Sequence, residues 1–199
     1  MRFEHLGAQP RIHPTAVIAP TAVISGDVEI GADCQILHGA VITADGGAIT
    51  IGASVIVMEN ALVRATSANP VHIGDHVLVG PMASISGATI DDEVFLATGT
   101  RVFNGAKIGT RSEVRINAVV HLRTTLPAES VVPIGWVAVG EPVQILPPER
   151  HEEIWAAQRE LDFPGYVFGL DRDTPDLLVQ LTERYGRSLA RHARDVRLE

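Results

Sequence analysis

The chain has 199 residues, 24 carboxylate side chains against 16 lysines and arginines, and 46% hydrophobic residues of which few are aromatic. That length suits one domain with a peripheral element, and the formal charge of -8 disfavours a nucleic-acid or anionic-membrane surface, either of which needs a basic face. The single Cys34 excludes an internal disulfide, and no apolar run approaches the ~20 residues of a membrane span, so the chain reads as a soluble cytoplasmic protein.

Residues 1–11 carry no periodicity and read as a lead-in that covers an open edge. From Ile12 an aliphatic residue recurs every six positions, through Ile18, Ile24, Ile30, Ile36 and Ile42, with Pro14, Pro20 and Gly26 at equivalent turns. The register breaks at residues 44–48, resumes at Ile51, Val57 and Val63, and breaks again at 65–70. It then runs through Ile73, Val79, Ile85, a shortened step to Ile90, and on through Leu96, Val102, Ile108, Val114, Val120, Leu126 and Val132. A period of six fits neither an α-helix nor an alternating strand, but it fits a parallel β-helix in which each hexad forms one side of a coil. The count implies about six or seven coils, with a core of aliphatic side chains and Cys34 filling a small position. The two breaks are expected to project as loops, where sites are commonly built.

Pro147 and Pro148 end the β pattern, so the coil is assigned to 12–146 and a helical extension to 147–199. Ile154, Trp155, Gln158 and Leu161 predict a short amphipathic helix from Glu149 to about Leu161, broken by the Phe-Pro-Gly at 163–165. A second helix is expected to open at Thr174 as N-cap with Pro175 in first position, and to bury a stripe of Leu177, Leu178, Leu181, Tyr185 and Leu189. The fold class is therefore mainly β, a parallel β-helix with C-terminal α-helices.

The hexad pair IGDHVLVG (73–80), the shortened step across Ser86 and Gly87, the later RVFNGAKIG (101–109) and the upstream GAVITADGGAITIG (39–52) resemble the γ-class carbonic anhydrases of the hexapeptide-repeat superfamily. The resemblance covers about residues 11–145. It implies a left-handed coil, association into homotrimers, and a zinc ion held at the subunit boundary by three histidines. The positions that match those ligands here are Arg64, Pro81 and Ser86, none of which is a histidine. A guanidinium repels a dication and proline has no side-chain donor, so the zinc mechanism of carbon dioxide hydration is expected to be absent. The resemblance also maps the family's arginine and aspartate onto Thr43 and Asp45, and its glutamine and following acid onto Met58 and Glu59.

Counting hexads by threes stacks Thr43, Arg64 and Ser86 on successive coils at about 4.8 Å spacing. Arg64 either pairs with Asp45 or Glu59 as filling, or binds a small anion or carboxylate in the intersubunit groove with Ser86 and Thr43. No metal and no cofactor is expected, although His72 and His76 leave a cross-subunit metal site open, and His5, His13, His151 and His192 lie outside the central coils. Two other function classes stay open. An acyltransferase using acyl-CoA needs a histidine base, and His121 is the candidate. A non-catalytic subunit of a larger assembly would dock through the C-terminal helices.

Overall fold

The computed structural model describes residues 1–199. The chain winds as a three-sided parallel β-solenoid built from strands mostly of two or three residues. The face that carries the candidate site stacks Arg2–Glu4, Val23–Ser25, Val41–Asp45, Leu62–Thr66, Ser84–Ser86, Arg101–Val102, Val119–Val120 and Val137–Val139 in parallel. An antiparallel strand closes each end of that sheet, Gln144–Leu146 beyond Val137–Val139 and Val196–Leu198 beside Arg2–Glu4. The other two faces are parallel sheets of seven strands.

The six-residue period has a direct physical meaning in this architecture. The anchors stack in register as three internal ladders: Ile24, Ile42, Val63, Ile85, Val102 and Val120 on the site face; Ile30, Ile51, Ile73, Ile90, Ile108 and Leu126 on the second; and Ile36, Val57, Val79, Leu96, Val114 and Val132 on the third. All are buried, and with interleaved alanines and Cys34 they form one continuous core of 35 residues. Each aliphatic side chain so buried contributes about 1.5–3 kcal/mol. The corners place Asp33, Ser54, His76, Glu93, Arg111 and Glu129 in left-handed conformation at φ between 56 and 61°. Single residues adopt that strained region where the paired strands on either side determine the turn.

Three expectations need correction. The lead-in supplies a rung of its own, because Arg2 pairs with Ile24 and Phe3 with Ser25. The open edge is covered instead by the last residues of the chain, in the antiparallel pairing of Arg2 with Leu198 and Glu4 with Val196. Helix α1 spans His151–Glu160, close to the expected range, and seals Ile154 and Leu161 against Leu122, Val139 and Leu146. Helix α2 spans Leu177–Leu189 and opens three residues later than Thr174. Thr174 is spent in a turn, its N–H bonded to the Asp171 carbonyl, and Asp176 sits at φ 51°, so helical geometry begins only beyond it. Of the predicted stripe, Leu177, Leu181, Tyr185 and Leu189 turn inward and are half-buried, whereas Leu178 is exposed.

Candidate functional site

The first register break lets the Val41–Asp45 strand run two residues past the hexad, and the second does the same for Leu62–Thr66. These two longest strands pair over their whole length, which sets Thr43 opposite Arg64 and Asp45 opposite Thr66. On the other side Arg64 faces Ser86. The stack of Thr43, Arg64 and Ser86 on adjacent strands therefore follows from the register.

The C-terminal segment lies over this part of the sheet and, with it, borders a half-open cavity of about 430 Å³. Its floor is Asp45, Arg64, Thr66, Ser86, Phe103 and Asn104. Its roof comes from the π-helical turn Pro164–Phe168, from α2 and from the turn beyond it, with Phe163, Val167, Phe168, Leu181, Arg184, Tyr185, Ser188 and Arg191. Tyr166 pins the turn to the coil by donating a hydrogen bond of 2.8 Å to the Asn69 side-chain carbonyl. Phe163, Phe168 and Tyr185 pack edge to face with centroid separations of 5.7 and 5.6 Å. Within one subunit, the C-terminal segment thus roofs part of the groove above Arg64.

Two of the cavity's guanidiniums converge on one carboxylate. Asp45, only 4% exposed, accepts hydrogen bonds from Arg64 at 3.4 Å and Arg191 at 3.2 Å. Arg184 supplies a third guanidinium, held in part by a 3.2 Å bond to the Gly169 carbonyl. Arg64 also lies over the Tyr185 ring at 5.4 Å, and its Nε is buried without a hydrogen-bond partner. Three cations and one acid leave the lining net positive beside its aromatic and aliphatic residues.

Other residues singled out in the sequence are placed elsewhere. Thr43 sits beside Arg64 in the sheet but does not line the cavity. Glu59 is exposed at a corner, where its backbone carbonyl accepts the Met82 N–H, and Arg64 pairs with Asp45 instead. Pro81 lies on another side, in a shallow depression with Met58, Leu78, Phe95 and Ile134. His121 is buried behind Phe103, with ring centroids 5.4 Å apart, and does not reach the cavity. Burial pushes its imidazole pKa below the ordinary value. His72 is exposed and hydrogen-bonded to Thr50, while His76 occupies a corner. Sequence reasoning missed Arg184, Arg191 and the Phe163–Phe168 turn. Their only sequence signal is a concentration of arginine and aromatic residues in the C-terminal segment, which carries no register.

A family model described as bacterial transferase hexapeptide (six repeats) matches residues 9–44. Over 151 residues the chain is 30% identical to gamma carbonic anhydrase 1, mitochondrial, of Arabidopsis thaliana, covering 73% of this chain and 53% of that one. A hexapeptide transferase family protein from Anaplasma phagocytophilum superposes with a TM-score of 0.65 at 21% identity, covering 94% of this chain and 97% of that one. PerB from Caulobacter crescentus, solved in complex with CoA and GDP-perosamine, superposes with a TM-score of 0.52 at 27% identity, covering 66% and 57%. The chain spans about half the length of the curated γ-class relatives it matches. Repeat, three-sided coil and sequence identity converge: the chain is a γ-carbonic-anhydrase-like protein of the hexapeptide-repeat superfamily.

Proposed function

We propose that this chain binds a small carboxylate with an apolar or aromatic body in the cavity above Arg64, and that it does not hydrate carbon dioxide through the zinc chemistry of its γ-class relatives. The observation that carries this reading is Arg64, a guanidinium that lines the cavity with Arg184 and Arg191 against the single carboxylate of Asp45. A planar guanidinium matches a carboxylate, and the nearby Ser86 hydroxyl adds a donor. The aromatic wall of Phe103, Phe163 and Phe168 then accepts the body of the ligand. A volume of about 430 Å³ falls within the range of small-molecule sites.

The donor set at the family's zinc positions does not suit the metal. Zinc takes imidazole, thiolate or carboxylate ligands, and Arg64, Pro81 and Ser86 offer only a hydroxyl beside a fixed cation. No step is therefore assigned to that ion. The acyltransferase reading draws on PerB, which holds CoA, but the one candidate base is sealed behind Phe103. Trimeric association is part of the proposal. Ile56, Leu78 and Phe95 form an outward apolar row across adjacent strands of the third face, and a second copy would cover it.

Calorimetric titration with aliphatic and aromatic carboxylates, inorganic phosphate and acetyl-CoA tests the reading. At least one carboxylate is expected to bind, with a loss of about 10- to 100-fold in Arg64→Leu, the worth of a charged hydrogen bond. Acetyl-CoA binding with acyl transfer, or carboxylate affinities unchanged by Arg64→Leu, would overturn it.

A further inference from the structure

Beyond the cavity, the antiparallel pairing that joins the two ends of the chain assembles a cluster of another kind. Arg2 faces Leu198, Phe3 faces Arg197 and Glu4 faces Val196. One step further along the same register, His5 and Asp195 meet although 190 residues separate them in sequence. His5 Nδ1 lies 2.5 Å from Asp195 Oδ1, and His192 Nδ1 lies 2.9 Å from Asp195 Oδ2. The two imidazoles stack with centroids 4.3 Å apart. One ligand atom from each of His5, His192 and Asp195 falls within 4.8 Å of the others.

We infer that His5, His192 and Asp195 form a binding site for a divalent transition-metal ion of the zinc type, built by the docking of the C-terminus on the first rung. The set of two imidazole nitrogens and one carboxylate is complete for a three-ligand site with an open fourth position. Ligands at about 2.0–2.1 Å around a tetrahedral ion stand roughly 3–3.5 Å apart, so the His5–Asp195 contact at 2.5 Å and the His192–Asp195 contact at 2.9 Å each open by less than about 1 Å to admit the ion.

A second observation points to the ion independently. His5 is 2% exposed, and its Nε2 has no hydrogen-bond partner although it faces Asp45 Oδ1 at 3.5 Å. A ring with one proton cannot donate to the two carboxylates that flank it. An ion on Nδ1 resolves this, because the proton then resides on Nε2 and faces Asp45. A metal-bound imidazole whose other nitrogen donates to a carboxylate is a recurrent arrangement that fixes ring orientation and ligand basicity.

The test uses the full chain stripped by chelator and titrated with Zn²⁺ and Co²⁺, read by calorimetry, elemental analysis and the visible spectrum of the cobalt form. One ion per chain is expected, with a four-coordinate cobalt spectrum and a Tm that rises by several degrees, on the order of 5 °C, at saturating metal. His192→Ala and Asp195→Asn each lower affinity by at least about 10-fold. His192 is partly exposed, so its replacement leaves the fold intact, and circular dichroism checks this. Arg64→Leu keeps the metal, which separates this inference from the carboxylate site. Failure to take up either ion, or uptake equal in both ligand variants, would overturn it.

Discussion

Asp45→Asn should move stability and ligand affinity in opposite directions. The carboxylate is nearly fully buried and accepts from Arg64 at 3.4 Å and Arg191 at 3.2 Å. A well-formed charged hydrogen bond contributes about 1.5–3 kcal/mol. Both bonds here are long, the Arg191 side chain is 42% exposed and screened, and asparagine keeps one accepting oxygen, so the expected loss is about 1–3 kcal/mol. For a chain of this length that corresponds to a Tm lower by roughly 3–10 °C. A bound carboxylate, in contrast, must share Arg64 with Asp45. At a separation on the order of 7 Å and an effective dielectric constant near 20, the repulsion between them is about 2 kcal/mol. Its removal should tighten carboxylate binding by ~30-fold. Denaturant unfolding and calorimetry on the same preparation measure both effects. Weaker binding in Asp45→Asn would show that Asp45 organises Arg64 for the ligand rather than competing with it, and would refute the electrostatic reasoning.

Gly87 sits at φ 51°, where an added Cβ would meet the Asn69 Cβ at 2.4 Å, and Asn69 anchors Tyr166. Gly87→Ala should cost about 2–4 kcal/mol by urea unfolding and speed proteolysis in the 160s; a change under about 0.5 kcal/mol would contradict the close approach. Tyr166→Phe removes one hydrogen bond and should cost about 0.5–1.5 kcal/mol, with faster hydrogen exchange confined to Pro164–Phe168. Burial pushes the His121 pKa below its ordinary value, so on acidification the unfolded chain binds the proton first, and the contribution of this group to stability should stay flat above pH 6.5 and fall as the pH drops from there through the depressed folded value. In His121→Leu that acid-side slope should shrink, and an unchanged slope would assign it to other groups. Phe95→Glu places a charge at the end of the outward apolar row and should shift sedimentation from the proposed trimer to monomer while circular dichroism stays the same.

The coil was legible because a solenoid makes packing local: each anchor from Ile24 to Val132 stacks on the residue one turn away, so a six-residue period in the chain becomes a ladder in space. The same logic put Thr43, Arg64 and Ser86 on adjacent strands and located both register breaks beside them. It stopped where the repeat stopped. The helix start at Leu177 was misplaced because Thr174 bonds back to Asp171, a choice that local capping preference does not settle. Glu59 and Pro81, which the resemblance matched to site positions, stand outside the Arg64 cavity of the same subunit, Glu59 at a corner and Pro81 in a separate depression.

Sequence by itself therefore determined the architecture, the core and the position of Arg64, since these depend on contacts between neighbouring turns. Tertiary structure alone decided what lies across from Arg64 and where the chain ends meet. The roofing of the cavity by Phe163, Tyr185 and Arg191, and the junction of His5 with His192 and Asp195, join residues far apart along the chain. Such contacts are fixed by the docking of an aperiodic segment on the coil, and no spacing in the sequence encodes it.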